Sequence, residues 1–451
     1  MTSVAYRFGL FGVALLIYVG ALQASTAPVL EDPQLKPEPA PPITCGGQPC
    51  DAVARGFRAF HDRALQGLNG NGRSCADCHM PSDSFQLSPA NVEARFQKLQ
   101  ERLADDPDAD DPLFRPIDAD DFRINGQAAS DYSNLRQNAL VRITFPLPPN
   151  MWLVDPATGQ ITSQSFVDVW RMVPSVNDVR ITGNDGVNPW PRGPNPTGGF
   201  QLDARFGTLQ EQAMGALLSH AEVQVPPSQR FLDDVAAFQL TLFSNPRVRE
   251  LADAIDAGTD PLPDPDGPLT ELEQQGKAVF QRACAQCHGG PGQSTTPAPF
   301  VRYHGILSQC PRPVDPLGRW NFAPCPARLA RNTRLYEIQL PSGARIRMPS
   351  SDPGRALLTG FVTGVNPFDD WNKFDVPGMR GISRTAPYFH NNSAATLEEV
   401  VDHYIELFKF IRAITPPGVP VPPVASTDGV NHDRQPQPHE RAPLLAYLRK
   451  L

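Results

Sequence analysis

Apolar residues recur along this chain as short helical stripes set between long polar, proline-rich intervals. Val53, Phe57 and Phe60 share one face of a run over Cys50–Ala64 and predict a helix leading towards a pair of cysteines. Leu272–Phe280 predicts another, again leading towards a cysteine pair. Asn91–Leu103 predicts a third helix, and Thr144–Ser165 a small hairpin. Thr208-Leu-Gln-Glu211 and Thr396-Leu-Glu-Glu399 are capping boxes, each opening a helix. Phe231–Phe243 and Leu444–Leu448 predict helices that close the two halves. Leu397, Val400, Val401, Tyr404, Leu407, Phe408 and Ile411 form one stripe of the helix after Thr396.

The stripes repeat in order, and Val376-Pro-Gly-Met379 echoes Val173-Pro-Ser-Val176. The expected fold is mainly α, a tandem duplication of two small helical domains with long loop insertions. The predicted boundaries are 45–258 for the first domain, a linker at 259–268 rich in proline and aspartate, and 269–451 for the second. Ahead of them, 25–44 is a proline-rich tether. Residues 1–24 have the form of an export signal: Arg7, the apolar run Phe8–Leu22, and small residues before Ser25. The chain is therefore expected in the periplasm, with a membrane attachment only if that segment stays uncleaved. The formal net charge of −8 over 451 residues argues against a nucleic-acid partner. The acidic stretch 104–121 has no EF-hand spacing.

The candidate chemistry lies at Cys75-Ala-Asp-Cys78-His79 and Cys284-Ala-Gln-Cys287-His288. A lone Cys-X-X-Cys suits zinc or redox chemistry. Two copies, each followed by histidine and preceded by an amphipathic helix, read as c-type haem attachment sites. The thiols would form thioether bonds to the haem, and His79 and His288 would each bind an iron from one side. Two covalently bound haem c groups are therefore expected. Cys45, Cys50, Cys310 and Cys325 remain; local pairs are the simplest arrangement, with the other pairings open.

Arg384-Thr-Ala-Pro-Tyr-Phe-His390, followed by Ser393-Ala-Ala-Thr-Leu-Glu-Glu-Val-Val401, resembles the C-terminal signature of the bacterial di-haem cytochrome c peroxidases and their relative MauG. The resemblance runs from about Cys50 to Leu451, broken by insertions at 82–169 and 311–375. It implies two cytochrome c-like domains, a first haem that meets hydrogen peroxide, and a second that stores electrons or oxidising equivalents. It also implies a reducing partner, either a small cytochrome or copper protein, or a protein substrate oxidised at long range as in MauG. A plain electron-transfer cytochrome is the non-catalytic alternative.

Residue by residue, the resemblance puts the family's distal glutamine on Gln212 and its acid–base glutamate on Glu222, with His220 as a rival that would close the first iron. No histidine stands between Met80 and Leu103, where the peroxidases carry a loop ligand. Fourteen residues after His390, at the place of the peroxidases' methionine ligand, stands Tyr404, as in MauG. A phenolate is a hard anionic donor that stabilises oxidised iron. His403, Met348 and Met379 are rival ligands. The family's tryptophan between the haems falls on Leu202, leaving Phe200, Trp190 and Phe206 as candidates for the electron route. Its calcium asparagine falls on Met172, a poor ligand for a hard cation, while Thr385 and Pro387 still offer backbone carbonyls for calcium.

Overall fold

The computed structural model describes residues 45, 47–119, 122–124, 127–129, 132–182, 199–285, 288–294, 329, 331–363, 370–414 and 436–451. The export segment, the tether, Trp190, Cys287, Cys310 and Cys325 lie outside the described residues. Cys45–Leu451 forms one compact unit.

Helices predominate. Helix α1 (Cys50–His61) precedes a single turn, α2 (Cys75–Cys78). Then come α3 (Pro89–Asp105), α4 (Leu209–Ser219), α5 (Gln229–Gln239) and α6 (Pro246–Asp256). Last are α7 (Glu271–Ala283), α8 (Leu397–Ile414) and α9 (Arg441–Lys450). The predicted helices are present, with ends displaced by a few residues, and α6 is an addition. Cys45 and Cys50 form a disulfide at the start of α1.

The first half packs α1 against α5 around Val53, Phe60, Leu232, Val235 and Phe238. The second packs α7 against α9 around Val279, Phe280, Leu444, Tyr447 and Leu448. The two crossings are built alike. At Gly56 a methyl group would stand 1.8 Å from the Asp234 carbonyl oxygen, and at Gly276 1.9 Å from that of Pro443. Only glycine lets the backbones touch there. One turn on, Phe60 meets Phe238 edge-on at 5.3 Å, and Phe280 meets Tyr447 at 5.4 Å.

A second pair of matching segments leads into α4 and α8. Phe200 bridges Phe206, and Tyr388 bridges Ala394. Inside each loop the same two places, Gln201 and Ala204 or Phe389 and Asn392, have left-handed backbone. Thr208 and Thr396 then cap their helices through the amides of Glu211 and Glu399. Those glutamates reach back to the amides of Gly207 and Ala395.

The strands come from the insertions. β1 (Phe122–Ile124) pairs with β2 (Gln127–Ala129). β3 (Leu140–Pro146) pairs antiparallel with β5 (Phe166–Met172), from Leu140 opposite Met172 to Pro146 opposite Phe166. Between them, β4 (Met151–Val154) leaves to join β6 (Arg334–Gln339), which pairs with β7 (Arg345–Ser350). Inside the hairpin expected over Thr144–Ser165, a local antiparallel bridge joins Val154 to Ile161, but β4 takes its main pairing from β6. Met151 and Leu153 instead bury with Tyr336, Ile338 and Trp371 in a core shared by both insertions. Burial of this apolar face outweighs a short-range turn.

Candidate haem sites

Cys284 is the C-cap of α7, whereas Cys75 opens the single-turn helix α2, fourteen residues after α1 ends at His61. Around Cys75 the turn is fixed by Asp77. Its carboxylate accepts from the Ser74 amide at 2.9 Å and from the Arg63 and Arg95 guanidiniums at 2.6 and 2.9 Å. Burial raises the pKa of that carboxylate, but Arg63, the Ser74 amide and Arg95 outweigh burial and hold it below the usual range. Burial also pushes the Cys75 and Cys78 thiols up to about 12, so both are neutral thiols at physiological pH.

The two histidines are set in the same way. His79 Nδ1 donates to the Phe85 carbonyl at 3.2 Å, with the Pro174 carbonyl as a further partner. His288 Nδ1 donates to the carbonyls of Gln293 at 3.2 Å and Pro377 at 3.1 Å. Because a carbonyl can only accept, Nδ1 carries the proton and Nε2 keeps its lone pair. Desolvation lowers His79 to about 4 and lowers His288 as well, so both rings are neutral. A neutral imidazole with its far nitrogen tied to a carbonyl is the arrangement of a metal-ligating histidine. The residues present therefore fit a haem iron at each Nε2. Pro174 and Pro377 belong to the Val-Pro echo, which had no evident role in the sequence.

One cavity of about 370 Å³ carries both histidines on its wall. On the His79 side it is lined by Cys78, Asp118, Gln212, Ala216 and His220, and on the His288 side by Met379, Val400 and Tyr404. Gln212, Ala216 and His220 lie four residues apart on α4 and its C-cap, so one helical face meets the cavity. Tyr404 stands eight residues beyond the cap Thr396, as Ala216 stands eight beyond Thr208. The same place on the wall thus carries a phenol in the second half and a methyl group in the first.

Glu222 is exposed and accepts from Asn71 Nδ2 at 3.0 Å; it is not among the residues lining the cavity. Helix α4 ends at Ser219, and the left-handed backbone of Glu222 turns it away from the α4 face. His220 remains on the wall. His403 packs on Phe389 at 4.7 Å, and Met348 belongs to the β-sheet core; neither lines the cavity. Thr385 and Pro387 line it, together with Met172. Arg380 and Arg384 stand beside Thr385 around a smaller neighbouring cavity, a setting that does not favour a hard dication. Of the aromatic candidates between the histidines, Phe200 lines the cavity, whereas Phe206 packs over Gly215. Phe374 and His390, stacked at 4.0 Å and 14°, share the wall with Leu202. Sequence reasoning had assigned no role to Asp118 or to the Phe374–His390 stack. Both depend on loops that meet only in the folded chain.

No protein-family model matches the chain. A stretch of 138 residues is 30% identical to the cytochrome-c peroxidase IdrP2 of Denitromonas iodatirespirans. That stretch covers 30% of this chain and only 32% of the relative. Among solved structures, a MauG-like protein associated with microbial copper homeostasis overlaps at 19% identity and a TM-score of 0.41, over 92% of this chain and 90% of that one. The diheme peroxidase BthA from Burkholderia thailandensis gives 19% and 0.41, over 89% and 86%. The hydrazine synthase of Kuenenia stuttgartiensis gives 14% and 0.37, over 89% and 88%. Overlap at that level carries no inference about chemistry. Both Cys-X-X-Cys-His motifs and the Arg384–His390 signature agree with the peroxidase relative, so the chain is similar to the bacterial di-haem cytochrome c peroxidases and MauG.

Proposed function

We propose that this chain is a periplasmic di-haem c oxidoreductase that activates hydrogen peroxide at its first haem and oxidises a protein substrate at long range, as MauG does. The two haem groups would be held covalently by Cys75 and Cys78, and by Cys284 and Cys287, with His79 and His288 as iron ligands. Haem iron, when bound, supplies the one- and two-electron chemistry that side chains lack. The chain's part is to differentiate two similar sites. The matched helix crossings, loops, caps and histidine anchors support a tandem duplication with domains at 45–258 and 269–451.

The observation that carries the reading is the pairing of Ala216 with Tyr404 at equivalent places on one cavity wall. A methyl group leaves the first iron position open to a small oxidant, while a phenol gives the second an anionic donor. Gln212 would orient peroxide on the open side. The family resemblance points to Glu222 for proton handling, but that carboxylate is exposed and lies off the cavity wall. The Phe374–His390 stack offers a polarisable bridge where the family's tryptophan is replaced by Leu202. Met379, also on the wall, favours a second reading: a thioether ligand, and reduction of peroxide with electrons from a small cytochrome or copper protein.

Steady-state oxidation of reduced cytochrome c by peroxide separates the two. The haem-loaded protein is expected to turn over poorly, while peroxide oxidises an exported protein partner in its presence. Fast, saturable turnover with cytochrome c and no effect of Tyr404→Phe would assign the chain to the second reading.

A further inference from the structure

His220 is tied at both ends. Its Nδ1 donates to Asp118 Oδ1 at 2.9 Å, and its carbonyl accepts from Arg73 Nη1 at 2.8 Å and Asn71 Nδ2 at 3.0 Å. Asp118 is buried and its other oxygen accepts from Arg73 Nη1 at 2.7 Å. Arg73 is itself buried, held by the Pro112 carbonyl, and lies two residues before Cys75. A carboxylate on Nδ1 fixes the tautomer, so that Nε2 is the free nitrogen. Imidazole and carboxylate both lie on the wall of the cavity that holds His79 and Gln212.

We propose that His220, positioned by Asp118, is the hydrogen-bonding and proton-relaying group over the open face of the first haem site, in place of Glu222. The assignment rests on the reading of His79 as an iron ligand. Register argues against His220 as a second ligand. The place equivalent to Tyr404 is Ala216, and His220 lies one helical turn beyond it, about 6 Å along the axis. The imidazole then overhangs the open position. Hydrogen peroxide arrives there with two protons. Nε2 accepts the proton of the inner oxygen and passes it to the outer one. The O–O bond breaks with its electron pair going to the outer oxygen, which leaves as water. Two electrons from the reducing protein and two further protons take the inner oxygen to a second water.

The test uses the full haem-loaded chain with His220→Leu, His220→Gln, Asp118→Asn and Glu222→Gln. Fluoride affinity of the ferric protein reports hydrogen-bond donation over the open face, and stopped-flow mixing gives the rate of reaction with peroxide. His220→Leu is expected to weaken fluoride binding at least tenfold. It should slow the peroxide reaction by about 10²- to 10⁴-fold, the usual worth of a positioned acid–base group. Haem content and the high-spin ferric spectrum should stay as in wild type. His220→Gln should recover part of the fluoride affinity but not the peroxide rate, and Asp118→Asn should lower both to a smaller extent. Glu222→Gln should change neither by more than about twofold, well below that contribution. Three results would overturn the assignment: no effect of His220→Leu, a larger effect of Glu222→Gln, or a low-spin wild-type first haem that becomes high-spin in His220→Leu. A wild-type protein that takes up haem yet never reacts with peroxide would instead refute the functional reading on which the assignment stands.

Discussion

At the scale of single residues, protonation is set by burial and by backbone carbonyls. The motif histidines were legible from Cys-X-X-Cys-His alone. Their anchoring by Pro174 and Pro377 was not, because a carbonyl acceptor leaves no mark in residue identity. Glu222 shows the converse. Its spacing from Gln212 follows the family pattern, but α4 ends at Ser219, and a count along the chain does not register where a helix stops. His390 gives a residue-scale prediction. Desolvation lowers it to about 4 in the buried stack with Phe374, whereas an unfolded histidine titrates near 6.5. The folded pKa lies below the unfolded one, so the unfolded chain takes up a proton first as pH falls. The stability from neutral His390 is therefore complete above pH 6.5 and is lost between 6.5 and about 4, up to roughly 3 kcal/mol. Urea unfolding at pH 7 and pH 4.5 should show His390→Phe losing correspondingly less stability on acidification than wild type. An equal loss would contradict the burial argument.

Among the elements, helices were readable and strands were not. Caps such as Thr208 with Glu211 act within one turn, so local sequence contains the whole signal. β4 finds its partner β6 far along the chain, and the alternation of each strand says nothing about which other strand it meets. The glycines at the helix crossings have their reason in the neighbouring backbone. Gly56→Ala and Gly276→Ala should each destabilise the protein by about 1–3 kcal/mol through overpacking. Denaturant midpoints with an unchanged slope would check this. Tolerance of both helix substitutions would mean that the helices do not cross as closely as described.

Over the whole molecule, one buried ion network joins segments distant in the chain. Arg171 on β5 meets Asp203 at 2.6 Å and Asp352 at 2.6 Å, all three almost without solvent exposure. Burial pulls the Arg171 guanidinium down, but the carboxylates of Asp352 and Asp203 outweigh it and keep it charged. Arg171→Met would remove the guanidinium that two buried carboxylates share and should cost about 3–5 kcal/mol in unfolding experiments. A change below about 1 kcal/mol would place the network closer to solvent than it is described. The network joins β5 to the Asp203 loop before α4 and to the Asp352 segment after β7, beside the cavity on which the proposed difference between Ala216 and Tyr404 lies. Electron paramagnetic resonance of the ferric, haem-loaded protein tests that difference most directly. One high-spin and one low-spin signal are predicted, the low-spin signal alone changing in Tyr404→Met. Two low-spin signals, both unaltered by that substitution, would contradict it.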